Sequence, residues 1–180
     1  MSAIPEGFRR IERLSPFNAL VGPLYEKRDG ETVSIGLAIE QKHTNSRGIC
    51  HGGVLATLAD LALGYAMLAK SGDKGSFVTA HLAVDYAGAA RVGDWIESKV
   101  EIQRVGSRMA FANCYLMAGG QPIVRASASA TPPAALHFLH SSAWWSRRRF
   151  SISPCISRRP TTWLMRCSAC RRSQRARGCY

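Results

Sequence analysis

Acidic residues and lysine are missing from the last part of this 180-residue chain. No Asp or Glu follows Glu101 and no Lys follows Lys99, whereas residues 133–180 contain ten Arg. The net charge of +12 is concentrated there, because residues 1–132 hold 14 basic and 12 acidic residues, a net charge of +2. A nearly neutral segment of this length suits one globular domain and not a nucleic-acid-binding surface. We predict a domain at residues 1–132 and a separate tail at residues 133–180.

The chain also lacks the features of exported proteins and of serine hydrolases. Its N-terminus contains no apolar stretch of the kind that a secretory signal requires. Only Cys50 and Cys114 precede the tail, too few for a disulfide framework. These absences predict a cytoplasmic protein. The pattern Gly-x-Ser-x-Gly occurs nowhere, which excludes an α/β-hydrolase.

The tail has no regular apolar pattern. Cys167 and Cys170 have zinc-ligand spacing, but a second pair is missing and no His follows His140, so we expect no metal site. Its Arg clusters, interleaved with Trp, are typical of segments that bind nucleic acid or an anionic membrane surface. The tail is rich in Arg, Ser, Cys and Trp but contains no Lys, Asp or Glu. Translation of a GC-rich gene in the wrong reading frame also produces such a composition. We therefore expect an unstructured tail, no nucleic-acid partner, and loss of the native frame near residues 131–135.

The pattern of residues 1–132 predicts an α+β domain. Residues 5–28 are expected to form a short amphipathic helix and a Pro- and Gly-marked stretch that cap the domain. Gly52–Ala69 is one long apolar helix with Asp60 at its centre, which favours a buried helix over a membrane span. One helix followed by consecutive strands indicates an antiparallel sheet laid against that helix. Alternating apolar residues predict these strands at Thr32–Ile39, Phe77–Tyr86, Trp95–Val105, Arg108–Met117 and Pro122–Ala130.

The central helix is apolar or small on every side. At about 100° per residue, the face expected to lie on the sheet comprises Val54, Leu55, Leu58, Leu61, Ala62, Tyr65, Leu68 and Ala69. The opposite face is expected to present Gly53, Thr57, Asp60, Gly64 and Met67, flanked by Ala56 and Leu63. A helix of this kind is buried all round, so we predict that a partner subunit covers the second face.

Two groups on this helix are candidates for chemistry. Asp60 in apolar surroundings is a candidate general base, although an Asp bonded to nearby backbone for structural reasons explains it equally well. His51-Gly52-Gly53 places N–H groups without side chains at the helix N-terminus, where they can bind a ligand oxygen. Gly52 and Asp60 lie about 12 Å apart along the helix. If both act on one substrate, they must therefore come from two chains whose helices run antiparallel.

The stretch from Asn45 to Gly64 resembles the signature of the PaaI-like (phenylacetic acid degradation) branch of hotdog-fold acyl-coenzyme A thioesterases. The matching features are Asn45, the His51-Gly52-Gly53 turn after five intervening residues, and Asp60 nine residues after the His. The resemblance covers roughly residues 5–131. It implies a hotdog fold, in which one long helix is wrapped by an antiparallel sheet. It also implies a homodimer or dimer of dimers that hydrolyses acyl-coenzyme A with no metal and no cofactor.

The resemblance also implies roles for individual residues. Asp60 acts as general base or nucleophile, the Gly52 amide polarises the thioester carbonyl, Asn45 and His51 orient the thioester or the water, and Thr79 lies near the water. Substrate- and coenzyme A-binding positions are Gly53, His81, Arg104, Val105, Gly106, Ser107, Arg108 and Met109. Structural roles are the alternative: His51 only caps the helix, Asn45 only shapes its loop, and the arginines are solvated surface. Two other functions stay open, an acyl-thioester hydratase or dehydratase and a non-catalytic acyl-coenzyme A-binding protein.

Overall fold

A seven-stranded antiparallel sheet packed on one long helix forms the part of the chain that the structure, a computed structural model, describes: residues 4–12, 14–72 and 76–132. The helices are α1 (Pro16–Val21) and α2 (Gly52–Lys70), with a short 3-10 turn at Gln41–His43. The strands are β1 (Arg9–Arg10), β2 (Leu24–Asp29), β3 (Thr32–Ala38), β4 (Val78–Tyr86), β5 (Trp95–Val105), β6 (Ala110–Ala118) and β7 (Gln121–Thr131). The predictions for the tail concern residues outside the described ranges.

The sheet has the strand order β1-β2-β3-β5-β6-β7-β4, with β4 at one edge. Strands β3 to β7 all contact α2, which confirms the predicted α+β hotdog architecture. Beneath the helix, β6 and β7 present buried alanines, which are small enough for the helix to lie close to the strands. By length and mean hydropathy (1.5) α2 could cross a membrane, but the core helix of a globular domain meets the same criteria, and one side of α2 is buried in the core with the sheet of its own chain.

The buried face of α2 differs from the predicted one. Leu63 and Met67, expected on the second face, are 1% and 0% exposed, whereas Leu61 and Leu68, expected on the sheet, are only half-buried. The helix is thus rotated about its axis so that its fully buried residues are Leu55, Leu58, Ala59, Ala62, Leu63, Ala66 and Met67. Because apolar residues occur on every side, periodicity could not fix the rotation. The second face therefore carries larger side chains than expected, since it includes Leu61 and Leu68.

The prediction for residues 5–28 was wrong in part. The helix there is α1, at Pro16–Val21, and the segment before it contains β1 instead of an amphipathic helix. The following residues form β2, which pairs with β3 through the tight turn after Asp29, with Gly30 at φ +57°. The loop residues are Gly30 and Glu31, and a glycine with positive φ at the first loop position is a hairpin signal. The charged run from Glu26 to Asp29 hid the strand, because β2 buries only Leu24 fully and exposes its second half.

Strands β3 and β5 are joined by a buried side-chain hydrogen bond beyond the end of their backbone ladder. The ladder pairs Gly36 to Ala38 with Glu97 to Trp95. At Ile35, the next residue of β3, the backbone N–H donates instead to the side-chain Oγ of Ser98 on β5, at 2.8 Å. Both residues are at most 1% exposed, so water cannot replace this acceptor.

Replacing Ser98 by Ala is expected to lower the free energy of unfolding by about 1–3 kcal/mol, because the Ile35 N–H is left buried without an acceptor. Urea denaturation measures this difference. Ser34→Ala, at a half-exposed position of β3, is the matched control and should change stability by less than about 0.5 kcal/mol. Equal effects of the two substitutions would contradict the assignment.

Candidate active site

The first turn of α2 is held by side chains at both ends of the Gly52–Gly53 peptide. His51 is the N-cap residue, and its Nδ1 accepts a hydrogen bond from the Gly53 N–H at 2.9 Å. The hydroxyl of Tyr86, at the end of β4, donates to the Gly52 carbonyl at 3.0 Å. A Cβ on residue 52 would lie 3.2 Å from the Tyr86 ring, so glycine lets the ring approach the helix. The turn is therefore fixed by His51 and Tyr86 together.

The N–H of Gly52 is the backbone donor that this arrangement leaves for a ligand. The N–H groups of Val54 and Leu55 both donate to the His51 carbonyl, at 2.9 and 3.3 Å, and that of Gly53 is used by the cap. Within the described ranges, no residue accepts from the Gly52 N–H. It lies at the positive end of the helix dipole, where an oxygen that gains negative charge is stabilised. Because Nδ1 of His51 accepts, neutral His51 carries its proton on Nε2.

Asn45 shapes the loop that leads into α2. Its Oδ1 accepts from the Arg47 N–H at 2.8 Å, and its carbonyl accepts from the N–H of Gly48 at 3.0 Å, where φ is +72°. The structural role expected of Asn45 is thus present. This role occupies the side-chain oxygen Oδ1 of Asn45, so the amide nitrogen Nδ2 can still donate a hydrogen bond. The capping role expected of His51 is likewise present, and it leaves Nε2 unused.

His43 also holds the loop that leads into α2, and no sequence pattern predicts this role. Its side chain is buried: Nδ1 accepts from the Glu40 N–H at 2.9 Å, and Nε2 lies 2.7 Å from the Val21 carbonyl, which places the proton on Nε2. Its own carbonyl accepts from the His51 N–H at 2.8 Å. One residue thus connects the end of α1 to the start of α2. The position, within a polar stretch, carries no pattern that distinguishes it.

Asp60 lies in the middle of α2, where its Oδ1 accepts a hydrogen bond from the Thr79 hydroxyl at 2.7 Å. Thr79 reaches the helix because a β-bulge interrupts β4: Thr79 pairs with Ala130 on β7, but His81 pairs with the adjacent Ser129. Directly opposed residues share one face of a sheet. Ala130 is buried in the core, so Thr79 faces α2, whereas strict alternation would turn it away.

A cleft of about 380 Å³ opens over Asp60. Its walls come from α1, α2 and β4 and are mostly apolar. The second carboxylate oxygen of Asp60, Oδ2, has no hydrogen-bond partner among the described residues. It is therefore available to a ligand or a water molecule in the cleft. The lining residues are Phe17, Asn18, Ala56, Thr57, Asp60, Leu61, Thr79 and Leu82.

The remaining predicted residues lie on the other face of the sheet or at its end. A cross-strand row over β4, β7, β6 and β5 consists of His81, Ser129, Phe111 and Arg104, and it faces away from α2. Beside it, a cleft of about 310 Å³ is lined by Arg104, Gly106, Ser107, Arg108, Met109 and Phe111. Val105 is the exception, because it pairs with buried Ala110 and packs against the core.

The structure thus separates the predicted site residues into groups. It brings Asp60 together with Thr79, and His51 together with Gly52 and Gly53. It does not bring Asp60 to Gly52, because eight residues of one helix, about 12 Å, lie between them. His81, Arg104 and the turn from Gly106 to Met109 form a third group away from α2, whereas Val105 packs against the core.

Cys50 stands next to His51 but is not placed as a nucleophile. Burial raises the pKa of the Cys50 thiol to about 11, and that of Cys114 to about 12. Both thiols are therefore protonated near neutral pH, whereas the thiolate is the reactive form. Across residues 4–12, 14–72 and 76–132, no group of three or more His, Cys, Asp or Glu is positioned to hold a metal ion.

The sequence of this chain is similar to those of known thioesterases and esterases. Residues 47–124 match the family model of the thioesterase superfamily. A Pseudomonas aeruginosa protein provisionally named as an esterase, PA0474, is 41% identical over 128 residues, which cover 71% of this chain and 96% of that protein. Acyl-coenzyme A thioesterase 13 of Mus musculus is 32% identical over 78 residues, 43% of this chain and 54% of its own length.

The fold has close counterparts among solved structures. The PaaI protein of Escherichia coli, from the phenylacetic acid degradation operon, superimposes with a TM-score of 0.58 over 64% of this chain and 81% of its own, at 17% identity. At that identity the likeness concerns the fold. Taken with the matched sequence and the long alignment to the Pseudomonas protein, it leads to one conclusion: this chain belongs to the thioesterase superfamily.

Proposed function

We propose that this protein hydrolyses an acyl-coenzyme A thioester to the free acid and coenzyme A, with Asp60 as the general base or nucleophile. The observation that carries the proposal is the Asp60 carboxylate, which Thr79 holds by one oxygen inside an apolar cleft. Membership of the superfamily supports thioester hydrolysis in general. The match to the mouse acyl-coenzyme A thioesterase supports coenzyme A as the thiol part of the substrate.

The chemistry needs one base and one oxyanion donor. As base, Asp60 Oδ2 takes a proton from a water molecule whose oxygen attacks the thioester carbonyl carbon. The carbonyl oxygen becomes negative and is stabilised by the Gly52 N–H. The C–S bond then breaks, the coenzyme A thiolate leaves, and the proton held by Asp60 passes to it, which restores the Asp60 carboxylate. As nucleophile, Asp60 instead attacks the carbonyl carbon, and the C–S bond breaks to give an anhydride of Asp60 with the acyl group and the coenzyme A thiolate. Water then hydrolyses the anhydride, which releases the free acid and restores the Asp60 carboxylate. Asn45 Nδ2 and His51 Nε2 orient the thioester or the water in either case.

Each active site is assembled from two subunits in this proposal, in a homodimer or dimer of dimers. Two antiparallel α2 helices bring Asp60 of one chain to Gly52 of the other, a juxtaposition that one helix cannot provide. The second face of α2 supports this, because it is half-exposed around Asp60 and Leu61, and among the described residues no atom beyond the adjacent turns of α2 lies within 4 Å of a Cβ built on Gly64. An apolar helix face of this kind needs a cover.

Coenzyme A is proposed to extend from this site to the other face of the sheet. Arg104 and Arg108 line the cleft there and would meet its phosphates, with His81 and Gly106 to Met109 nearby. We propose no metal or organic cofactor and no nucleic-acid or membrane partner for the reaction, and a cytoplasmic location, where acyl-coenzyme A is available. The absence of a metal and a cofactor is what the resemblance to the PaaI-like branch implies, whereas the location rests on the N-terminal sequence and the two cysteines of the domain.

Asp60→Asn is expected to lower turnover of a saturated acyl-coenzyme A by at least about a hundredfold, because the amide cannot take up the proton. Release of free thiol measures the rate, and it also separates hydrolysis from hydration or dehydration, which release none. Asp85→Asn, on the same strand as Thr79 and paired with exposed Arg125, is the control and should keep the parental rate. Near-parental hydrolysis by Asp60→Asn would assign the chemistry elsewhere.

Tyr86→Phe is expected to lower kcat about tenfold with little change in KM, because loss of the hydroxyl frees the Gly52 carbonyl and loosens the oxyanion donor. The ring stays against Gly52, so the melting temperature should change by less than about 3 °C. Tyr25→Phe, packed on Trp95, is the control. An unchanged kcat, or a loss confined to KM, would remove Tyr86 from the positioning of the turn.

Mixing two inactive variants tests the shared site. Asp60→Asn is combined with a second variant in which Asn45 and His51 are both Ala, under conditions that let subunits exchange. In a hybrid dimer one site carries both lesions and the other is built wholly from unmutated groups. Since random exchange makes half of the dimers hybrid, activity should recover to about a quarter of the parental value. If differential tags show exchange but activity does not recover, each chain carries a complete site.

A further inference from the structure

The N-terminal helix α1 forms one wall of the cleft over Asp60. Phe17 and Asn18 line it opposite Ala56, Leu61 and Leu82. Phe17 is 57% exposed, and it is among the residues that line the cleft. A ligand in the cleft would cover part of this surface, which stabilises the complex in proportion to the apolar area removed from water.

Specific contacts hold α1 in this place. At its C-terminal end, the carbonyl of Val21 accepts from buried His43 at 2.7 Å, and the carbonyl of Gly22 accepts from the Lys42 ammonium. At its N-terminal end, Ser15 Oγ accepts from the Asn18 N–H at 3.3 Å. His43 is also bonded to the loop that enters α2. The wall therefore has a defined position relative to the proposed catalytic residues.

The chemistry of the cleft selects among acyl groups. Phe17, Ala56, Leu61 and Leu82 offer apolar surface, and Asp60 is the one formal charge among the lining residues. An acyl chain that ends in a carboxylate would lose its hydration and be repelled by Asp60. An uncharged acyl chain longer than acetyl can instead pack against the phenyl ring.

We infer that Phe17 is a specificity-determining residue, which contacts the acyl group beyond its carbonyl and favours apolar acyl chains over charged ones of the same shape. The inference rests on the proposed function for the identity of the site. Phe17 lies outside the helix signature, and its ring sets the class of acyl group that the site accepts.

The test compares three substrates: acetyl-, 4-methylpentanoyl- and succinyl-coenzyme A, of which the last two are close in shape. The parental protein should prefer 4-methylpentanoyl to succinyl at least about tenfold in kcat/KM. Phe17→Ala should lower kcat/KM for 4-methylpentanoyl about tenfold and leave acetyl within about twofold. Leu20→Ala removes a side chain of the same helix that is 75% exposed and absent from the cleft lining. As the matched control, it should alter none of the ratios.

A binding measurement keeps the two proposals distinguishable. The thioether analogue 4-methylpentyl-coenzyme A cannot be hydrolysed, and calorimetry should show that Phe17→Ala weakens its binding about tenfold while binding of coenzyme A itself is unchanged. If the parental protein hydrolyses no acyl-coenzyme A, the proposed function fails. If hydrolysis occurs but Phe17→Ala leaves both the substrate ratios and analogue binding unchanged, or Leu20→Ala alters them equally, the inference on Phe17 is overturned.

Discussion

The central constraint in this structure is that helix α2 is apolar around its whole circumference while the sheet of the same chain covers one side. The covered side supplies the core, with Leu58, Ala62 and Met67 fully buried. The other side places Asp60 in apolar surroundings that are still reachable from outside. A helix with a polar outer face would make an equally good core, but it would leave its carboxylate in bulk water. The composition of one helix thus determines the packing of the domain and also the environment of the candidate base.

The candidate site is positioned from outside the helix, by residues distant in sequence. Tyr86 holds the first turn, Thr79 holds Asp60, and both belong to β4. His43 fixes the entering loop and α1 at the same time. These hydrogen bonds fix the Gly52 turn and the Asp60 carboxylate, both of which belong to the helix signature. They therefore give the N–H of Gly52 a defined position as a hydrogen-bond donor.

Much of the fold could be predicted from the sequence, because β5, β6 and β7 alternate clearly and the glycines at 119 and 120 mark their turn. The first half of the chain was harder, since the charges of Glu26 to Asp29 conceal β2. Rotation of α2 could not be derived, because Leu61, Leu63 and Met67 are equally apolar. Asp60, Gly52, His51 and Asn45 were predicted as site residues because their arrangement resembles the family signature. Tyr86 and His43 were not, because their roles arise from contacts between distant segments and not from any local pattern.

The bulge in β4 and the regular geometry of α2 place different limits on the spacing of the site residues. Adding one residue to α2 between Gly52 and Asp60 would swing the carboxylate about 100° around the helix axis and shift it by about 1.5 Å, so the spacing within the helix cannot drift. In β4 one extra residue, Ala80, is accommodated as a bulge in the ladder with β7. Thr79 therefore lies on the face of the strand that is turned towards α2. The spacing of Gly52 and Asp60 is therefore set by the helix alone, whereas the position of Thr79 depends on where the bulge lies in β4.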